Sequence, residues 1–277
     1  MVTAEAFRER QKTAVLQTKY QSIDLAYIDE GEGPPIILLH GIPTWSYLFH
    51  QVIPHLRKHY RVIAPDLAGY GYSDHRDCFD RSIRMQAELI VQLMDHLSIE
   101  RATLLGHDIG GGAALVFAVD HENRLEKLIL SNIVAYHTWP NAGMIELANP
   151  FWVDKPVDEV LGFVRGNNFP DHDGATIDGI FAPYTDELGK ISLIRNASGL
   201  STNHTMEIRD QVRDIQTPTL LLWGEDDPWQ EPWIAEQLER EIPHSRRVLL
   251  DNASHWAPLD RPTDFSMEIH EFVSGNS

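Results

Sequence analysis

Residues 102–119, ATLLGHDIGGGAALVFAV, constrain the fold of this chain more than any other stretch. An apolar run of strand character stops at Gly106-His107-Asp108-Ile109-Gly110, and an Ala/Gly-rich helical run follows at once. Glycines on both sides of one polar residue permit a sharp strand-to-helix turn, which lifts the middle side chain clear of the sheet and leaves no room for neighbouring side chains. Serine ordinarily stands at the centre of such a G-x-S-x-G elbow, and here the residue is Asp108. The start of a helix offers free backbone N–H groups and a favourable dipole. Asp108 can therefore cap its helix and be held ionised as a nucleophile by the same groups.

Near-continuous Ile/Leu/Val runs recur at 36–39, 61–65, 102–105, 127–130, 219–223 and 247–250, as expected of strands covered on both faces. Helical patterns at 82–96, 110–121, 232–241 and 262–273 lie between most of them. This alternation predicts an α/β fold with a mainly parallel central sheet flanked by helices. The interval from Asn132 to Thr219 breaks the rhythm and is too long for a structureless loop. The reading is a core of residues 1–133 and 214–277 carrying an inserted helical cap over 134–213. Within it, Asp171-His172-Asp173-Gly174 lacks the spacing and terminal Glu of a calcium loop and reads as a tight turn.

Acidic residues number 41 against 23 Lys and Arg, so the 277-residue chain carries a net charge of −18. Such a surface repels phosphate backbones and anionic lipid, and neither nucleic acid nor a membrane is expected as a partner. The longest strictly apolar run, 113–119, is too short to span a bilayer. The first twenty residues lack the apolar centre of a secretory signal, which points to the cytoplasm. The glycosylation sequons at Asn196, Asn203 and Asn252 then carry no meaning. The single cysteine, Cys78, excludes an intramolecular disulfide and a Cys-cluster zinc site, and is expected as a small half-buried apolar residue.

Three further segments stand at the ends of predicted strands. His40-Gly41-Ile42-Pro43 follows the first, and with an elbow nucleophile it supplies one backbone N–H of an oxyanion hole at Ile42, the other coming from Ile109. Trp223-Gly224-Glu225-Asp226-Asp227-Pro228 holds an acid able to orient and charge-stabilise a histidine. Asp227 is the choice there and Asp226 the near alternative. His255 lies in a loop between a strand and a helix, and no other of the 14 histidines has that placement after the acid. The chain order nucleophile 108, acid 227, histidine 255 is the order of roles in one hydrolase fold.

With those residues in hand, the chain resembles the α/β-hydrolase fold, in the branch with an aspartate nucleophile that includes haloalkane dehalogenases, epoxide hydrolases and fluoroacetate dehalogenases. The resemblance runs from about Tyr20 to the C-terminus. It rests on HGIPTWSYLFHQVIPHL (40–56), APDLAGYGYSD (64–74), GHDIGG (106–111), WGEDDPW (223–229) and ASHWAPLDRP (253–262), the first of which leans toward haloalkane dehalogenases.

The resemblance implies displacement of a leaving group from an sp3 carbon by Asp108, forming an alkyl ester that His255-activated water then hydrolyses. It implies no cofactor and no metal, only water and a small neutral apolar substrate, since Ile109 and glycines beside Asp108 offer no fixed cation. Haloalkane dehalogenases place a side-chain N–H donor after the nucleophile and often in the HGxP turn. Those positions are Ile109 and Ile42 here, and neither can donate from its side chain. Fluoroacetate dehalogenases require an arginine beside the nucleophile, which this chain lacks. Epoxide hydrolases use cap hydroxyls or a His–Tyr pair, for which Tyr136, His137 and Tyr184 are candidates. Epoxide hydrolysis is therefore the leading expectation, with dehalogenation helped by Trp139 or Trp152 as the alternative. A catalytically silent ligand-binding member is the reading from another class, against which the complete Asp108, Asp227 and His255 set argues.

Overall fold

The computed structural model describes residues 2–169 and 172–275. Eight strands form one sheet: β1 (Lys12–Gln17), β2 (Ser22–Glu30), β3 (Pro35–Leu39), β4 (Arg61–Pro65), β5 (Ala102–His107), β6 (Leu125–Ser131), β7 (Thr219–Gly224) and β8 (Ser245–Leu250). Their spatial order is β1-β2-β4-β3-β5-β6-β7-β8. The pairs β1–β2 and β2–β4 are antiparallel, and every later pair is parallel. The six apolar runs thus become the six parallel strands. β1 and β2 escape the same reading because β1 alternates exposed and buried residues, as an edge strand with one wet face must.

The helix Ile83–His96 packs against β1 and beside Ile109–His121, which packs on β5 and β6 at the centre of the sheet. The first is started by Ser82, whose hydroxyl accepts from the Met85 N–H at 3.2 Å. The second is buried along nearly its whole length, which explains its Ala/Gly-rich face: small residues let it lie close against β5 and β6. Ile37, Leu105 and Leu128, on neighbouring strands, are completely buried, and truncating any of them to Ala would cost about 2–5 kcal/mol.

Register decides where chemistry can occur. Leu39 pairs with Gly106, and His107 with Ser131, so the segments after β3, β5 and β6 leave the sheet side by side. Gly224 of β7 pairs with Leu250 of β8, which brings the last two strand ends to the same edge. Between β6 and β7 the described residues carry helices and no strand, including Ala142–Leu147, Val157–Asn168, Gly174–Phe181 and Glu187–Ser198. Asp171 lies outside the described residues. Asp173 starts the helix Gly174–Phe181, its carboxylate accepting from the Thr176 N–H at 3.0 Å. Cys78 is exposed, not half-buried, because it lies in the loop before Ile83–His96 and not on a packed face. Among the described residues no helix is long and apolar enough to cross a membrane.

Candidate active site

Asp108 stands between β5 and its helix with φ 53° and ψ −122°. A non-glycine residue there stores strain of order 1–3 kcal/mol, held by the packing around it. The turn closes only because Gly106 lacks a side chain: a Cβ there would run into the Gly110 carbonyl and Gly111 Cα. Gly41 is constrained in the same way by Asp108 itself, whose Cβ and Oδ1 fill the space a side chain would need. That close approach lets the Ile42 N–H donate to Asp108 Oδ1 at 2.9 Å. The Ile109 N–H also supports the carboxylate.

Asp227 follows β7 and is buried, whereas Asp226 is exposed. Its two oxygens divide their work. Oδ2 meets His255 Nδ1 at 2.8 Å and accepts from Asn132 Nδ2 at 2.7 Å. Oδ1 accepts from the backbone N–H groups of Trp229 at 2.8 Å and Gln230 at 3.0 Å. Asn132, just beyond β6 with φ 48°, completes the bracket by accepting from the Gly224 N–H through Oδ1 at 3.1 Å. With Nδ1–H given to Asp227, His255 Nε2 is left toward Asp108 Oδ2, 3.7 Å away.

The electrostatics follow from burial and neighbours. Burial pushes the Asp108 carboxyl above its ordinary range, against the pull of His255 and of the Ile109 and Ile42 N–H groups. For Asp227 burial acts in the same direction, but the charge and hydrogen bond of His255 and the two backbone donors outweigh it and hold the acid low. Burial would depress the His255 imidazole; Asp227, then Asp108 and Asp260, more than reverse this and raise it. The ring lies among Trp256, Trp229 and His107, with centroids at 4.6, 4.9 and 4.9 Å.

Beside Asp108 is a cavity of about 20 Å³, room for roughly one water molecule. From the strand ends it is lined by Ile42, Asp108, Ile109, Val134, Trp229, Gln230 and His255. The helical insertion contributes Trp139, Pro140, Asn141, Met144, Asn168 and Leu200.

This sheet order and the junction at Asp108 agree with a family model described as alpha/beta hydrolase fold, which matches residues 34–185, more than half of the chain. The chain belongs to the α/β hydrolase family. Haloalkane dehalogenase 2 of Mycobacterium tuberculosis is 28% identical to it, with 88% of this chain and 90% of that protein covered. Epoxide hydrolase 3 of Xenopus tropicalis is 26% identical, covering 93% of this chain and 77% of that protein. The crystal structure of an alpha/beta hydrolase fold protein from Burkholderia ambifaria superposes with a TM-score of 0.85 at 24% identity, covering 93% of this chain and 99% of the other, a likeness of fold.

In this α/β hydrolase Asp108, Asp227, His255, Ile42 and Ile109 come together, while the insertion departs from expectation. The Tyr136 hydroxyl donates to Glu241 Oε2 at 2.7 Å, and His137 is exposed. The Tyr184 hydroxyl lies between the Gly71 N–H and the Thr44 carbonyl, at 3.3 and 3.4 Å. Trp152 Nε1 donates to the Glu146 carbonyl at 2.9 Å. None of the four expected substrate contacts, Tyr136, His137, Trp152 and Tyr184, lines the cavity: each polar group is committed elsewhere or faces solvent. Trp139 does line the cavity, yet its Nε1–H is given to Thr205 Oγ1 at 2.9 Å. Sequence reasoning passed over Asn132, Trp229 and Gln230. Asn132 was legible as the polar residue directly after a core strand, and Trp229 stood within the quoted WGEDDPW segment.

Proposed function

We propose that this hydrolase displaces a weakly basic leaving group, of which halide is the type case, from an sp3 carbon of a small neutral substrate. Asp108 Oδ2 attacks the carbon, its C–O bond forms as the bond to the leaving group breaks, and the group departs with the electron pair. His255 Nε2 then takes a proton from water, whose oxygen attacks Asp108 Cγ. The negative charge developing on Oδ1 is met by the Ile42 and Ile109 N–H groups. The tetrahedral adduct expels Oδ2 with the alkyl group, and His255 returns a proton to give the alcohol. One proton per turnover goes to solvent.

The observation that carries this reading is that the carboxylate of Asp108 already occupies the oxyanion hole, with Oδ1 at 2.9 Å from the Ile42 nitrogen. The carbonyl to be attacked in the second step is the enzyme's own. Residues 134–213 act in this reading as the cap that excludes water from the ester.

Epoxide opening gives way to halide displacement because of the lining. An epoxide leaves as an alkoxide, which calls for a hydroxyl acid, and no lining residue of the cavity carries a hydroxyl. A halide needs only N–H donors. A haloalkane dehalogenase and an epoxide hydrolase both stand among the similar proteins, so the choice rests on the lining. The test is a His255→Gln variant mixed with 1-bromobutane and, separately, 1,2-epoxybutane. Mass spectrometry is expected to find a butyl ester on Asp108 from the bromide alone. Absence of any adduct would refute the covalent route, and an adduct from the epoxide alone would reverse the choice of leaving group.

A further inference from the structure

The leaving group needs a seat, and the usual positions for one, the residue after the nucleophile and the residue in the HGxP turn, hold isoleucine. We propose that Trp229 and Gln230, on the loop after β7, receive the departing anion. This rests on the reading of Asp108 as the nucleophile and adds the residues that set which group can leave.

The side-chain N–H groups around the cavity can be sorted by what they already bind. Trp139 Nε1 is given to Thr205, and Asn168 Nδ2 to the Val164 carbonyl at 2.7 Å. Trp229 lines the cavity, and its indole N–H meets no protein acceptor among the described residues. Gln230 lines it too and is only 4% exposed. Its Oε1 is turned toward Thr138 Oγ1 at 3.4 Å, and its NH2 group likewise meets no acceptor among the described residues. Trp229 is half-buried and Gln230 buried, and donors left without a protein acceptor beside a cavity form a ready hole for negative charge.

Their placement is fixed by the triad. Both backbone N–H groups are tied to Asp227 Oδ1, while Oδ2 of the same carboxylate holds His255. Trp223 Nε1 donates to the Gln230 carbonyl at 2.6 Å and anchors the end of the loop. The indole of Trp229 stands edge-on to His255, at 71° between planes. One carboxylate therefore sets the position of the base and of the two donors, so preorganisation for both chemical steps has a common origin. Asn141 also lines the cavity, but it belongs to the insertion, is partly exposed, and uses Oδ1 to start the helix Ala142–Leu147 by accepting from the Met144 N–H.

No proton moves in the step served by this seat: the carbon–halogen bond breaks, the pair stays with the halide, and the two N–H groups donate to it. The experiment works in the His255→Gln background, where the second step is silent, with 1-bromobutane as probe and quenched mass spectrometry to time the ester on Asp108. Trp229→Phe keeps the ring and loses the donor. It is expected to slow ester formation by roughly 10–100-fold while the final adduct still reaches one per chain. Gln230→Glu keeps the shape and places an acceptor where the donor stood, and should slow the step at least as much. Asn141→Ala should slow it less than either. Unchanged rates in both Trp229→Phe and Gln230→Glu, or a larger fall in Asn141→Ala, would overturn the assignment. Failure of the parent His255→Gln to form any ester sinks the underlying reading instead, so the two failures are told apart. Bromide binding by calorimetry to the enzyme with His255 intact supplies a readout without turnover. A saturable signal lost in Trp229→Phe and kept in Trp233→Phe, an exposed helix residue, supports the seat; a signal unaffected by Trp229→Phe counts against it.

Discussion

The loops at the strand ends and the helices inserted between β6 and β7 close the same cavity, yet they use their polar groups in opposite ways. On the strand side, Asp108, Asp227, His255 and Asn132 point at one another and at the space between them. On the helical side, Trp139, Trp152 and Asn168 direct their donors into the insertion, and Tyr136 gives its hydroxyl to Glu241 of the core. The contrast teaches a division of labour. Register holds Asp108, Asp227 and His255 at one edge of the sheet, and the insertion lines the facing side with Trp139, Pro140, Met144 and Leu200 beside Asn141 and Asn168.

The strongest way to break this comparison is at the nucleophile. Asp108→Asn keeps the shape and removes the attacking charge, and should lower alcohol release from 1-bromobutane by about 10⁴-fold or more. Retention within tenfold would mean that the strand side does not carry the chemistry. Asp227→Asn comes next. An amide in place of Oδ2 would set an N–H against His255 Nδ1 and Asn132, favouring the wrong tautomer, and turnover should fall about 10³–10⁴-fold. Steady-state kinetics beside an unchanged circular dichroism spectrum separates that loss from unfolding.

The pH profile gives a smaller effect with a definite sign. The second step needs His255 neutral and the first needs Asp108 ionised, and both groups titrate above their ordinary values. Activity should therefore fall as pH drops through the raised His255 value, so that the acid limb lies above an unperturbed imidazole. Asp260 contributes to that elevation. Asp260→Asn should move the acid limb to lower pH by roughly a few tenths of a unit, and a limb that moved upward would contradict the assignment.

The smallest change belongs to the insertion. Tyr136→Phe deletes the hydrogen bond to Glu241 and should cost about 1–2 kcal/mol in chemical denaturation while leaving kcat/KM within about twofold. A large loss of kcat/KM at unchanged stability would put this hydroxyl into the reaction and erase the contrast between the two regions.

The same contrast explains what was legible in the sequence. Five of the six parallel strands are buried along most of their length and β8 only partly, yet each contains an apolar run, and Asp108, Asp227 and His255 each follow a strand by a few positions. Asp108, His255 and the acidic pair Asp226-Asp227 could be picked out as candidates from local pattern and chain order. The choice between Asp226 and Asp227 could not, because it depends on which carboxylate turns inward beside Asn132, a residue of another strand end. The insertion was legible as helical but not as to where its side chains point. Tyr136 and Tyr184 are aromatic alcohols of the right kind, and only tertiary packing sends one to Glu241 and the other to the Gly71 turn. The edge strand β1 and its neighbour β2 were missed because this antiparallel margin mixes exposed and buried positions and lacks the unbroken apolar run of the centre.

A chamber with room for a single water has no space waiting for a guest. Met144 and Leu200 are two of the side chains of the insertion that line it. Met144 bends on three rotatable bonds, whereas Leu200 is branched and stiffer, so the toll for entry depends on which side chain a substrate must push aside. In the proposed reaction a substrate larger than water would need this lining to give way, so selection by size would begin before any bond to carbon is broken.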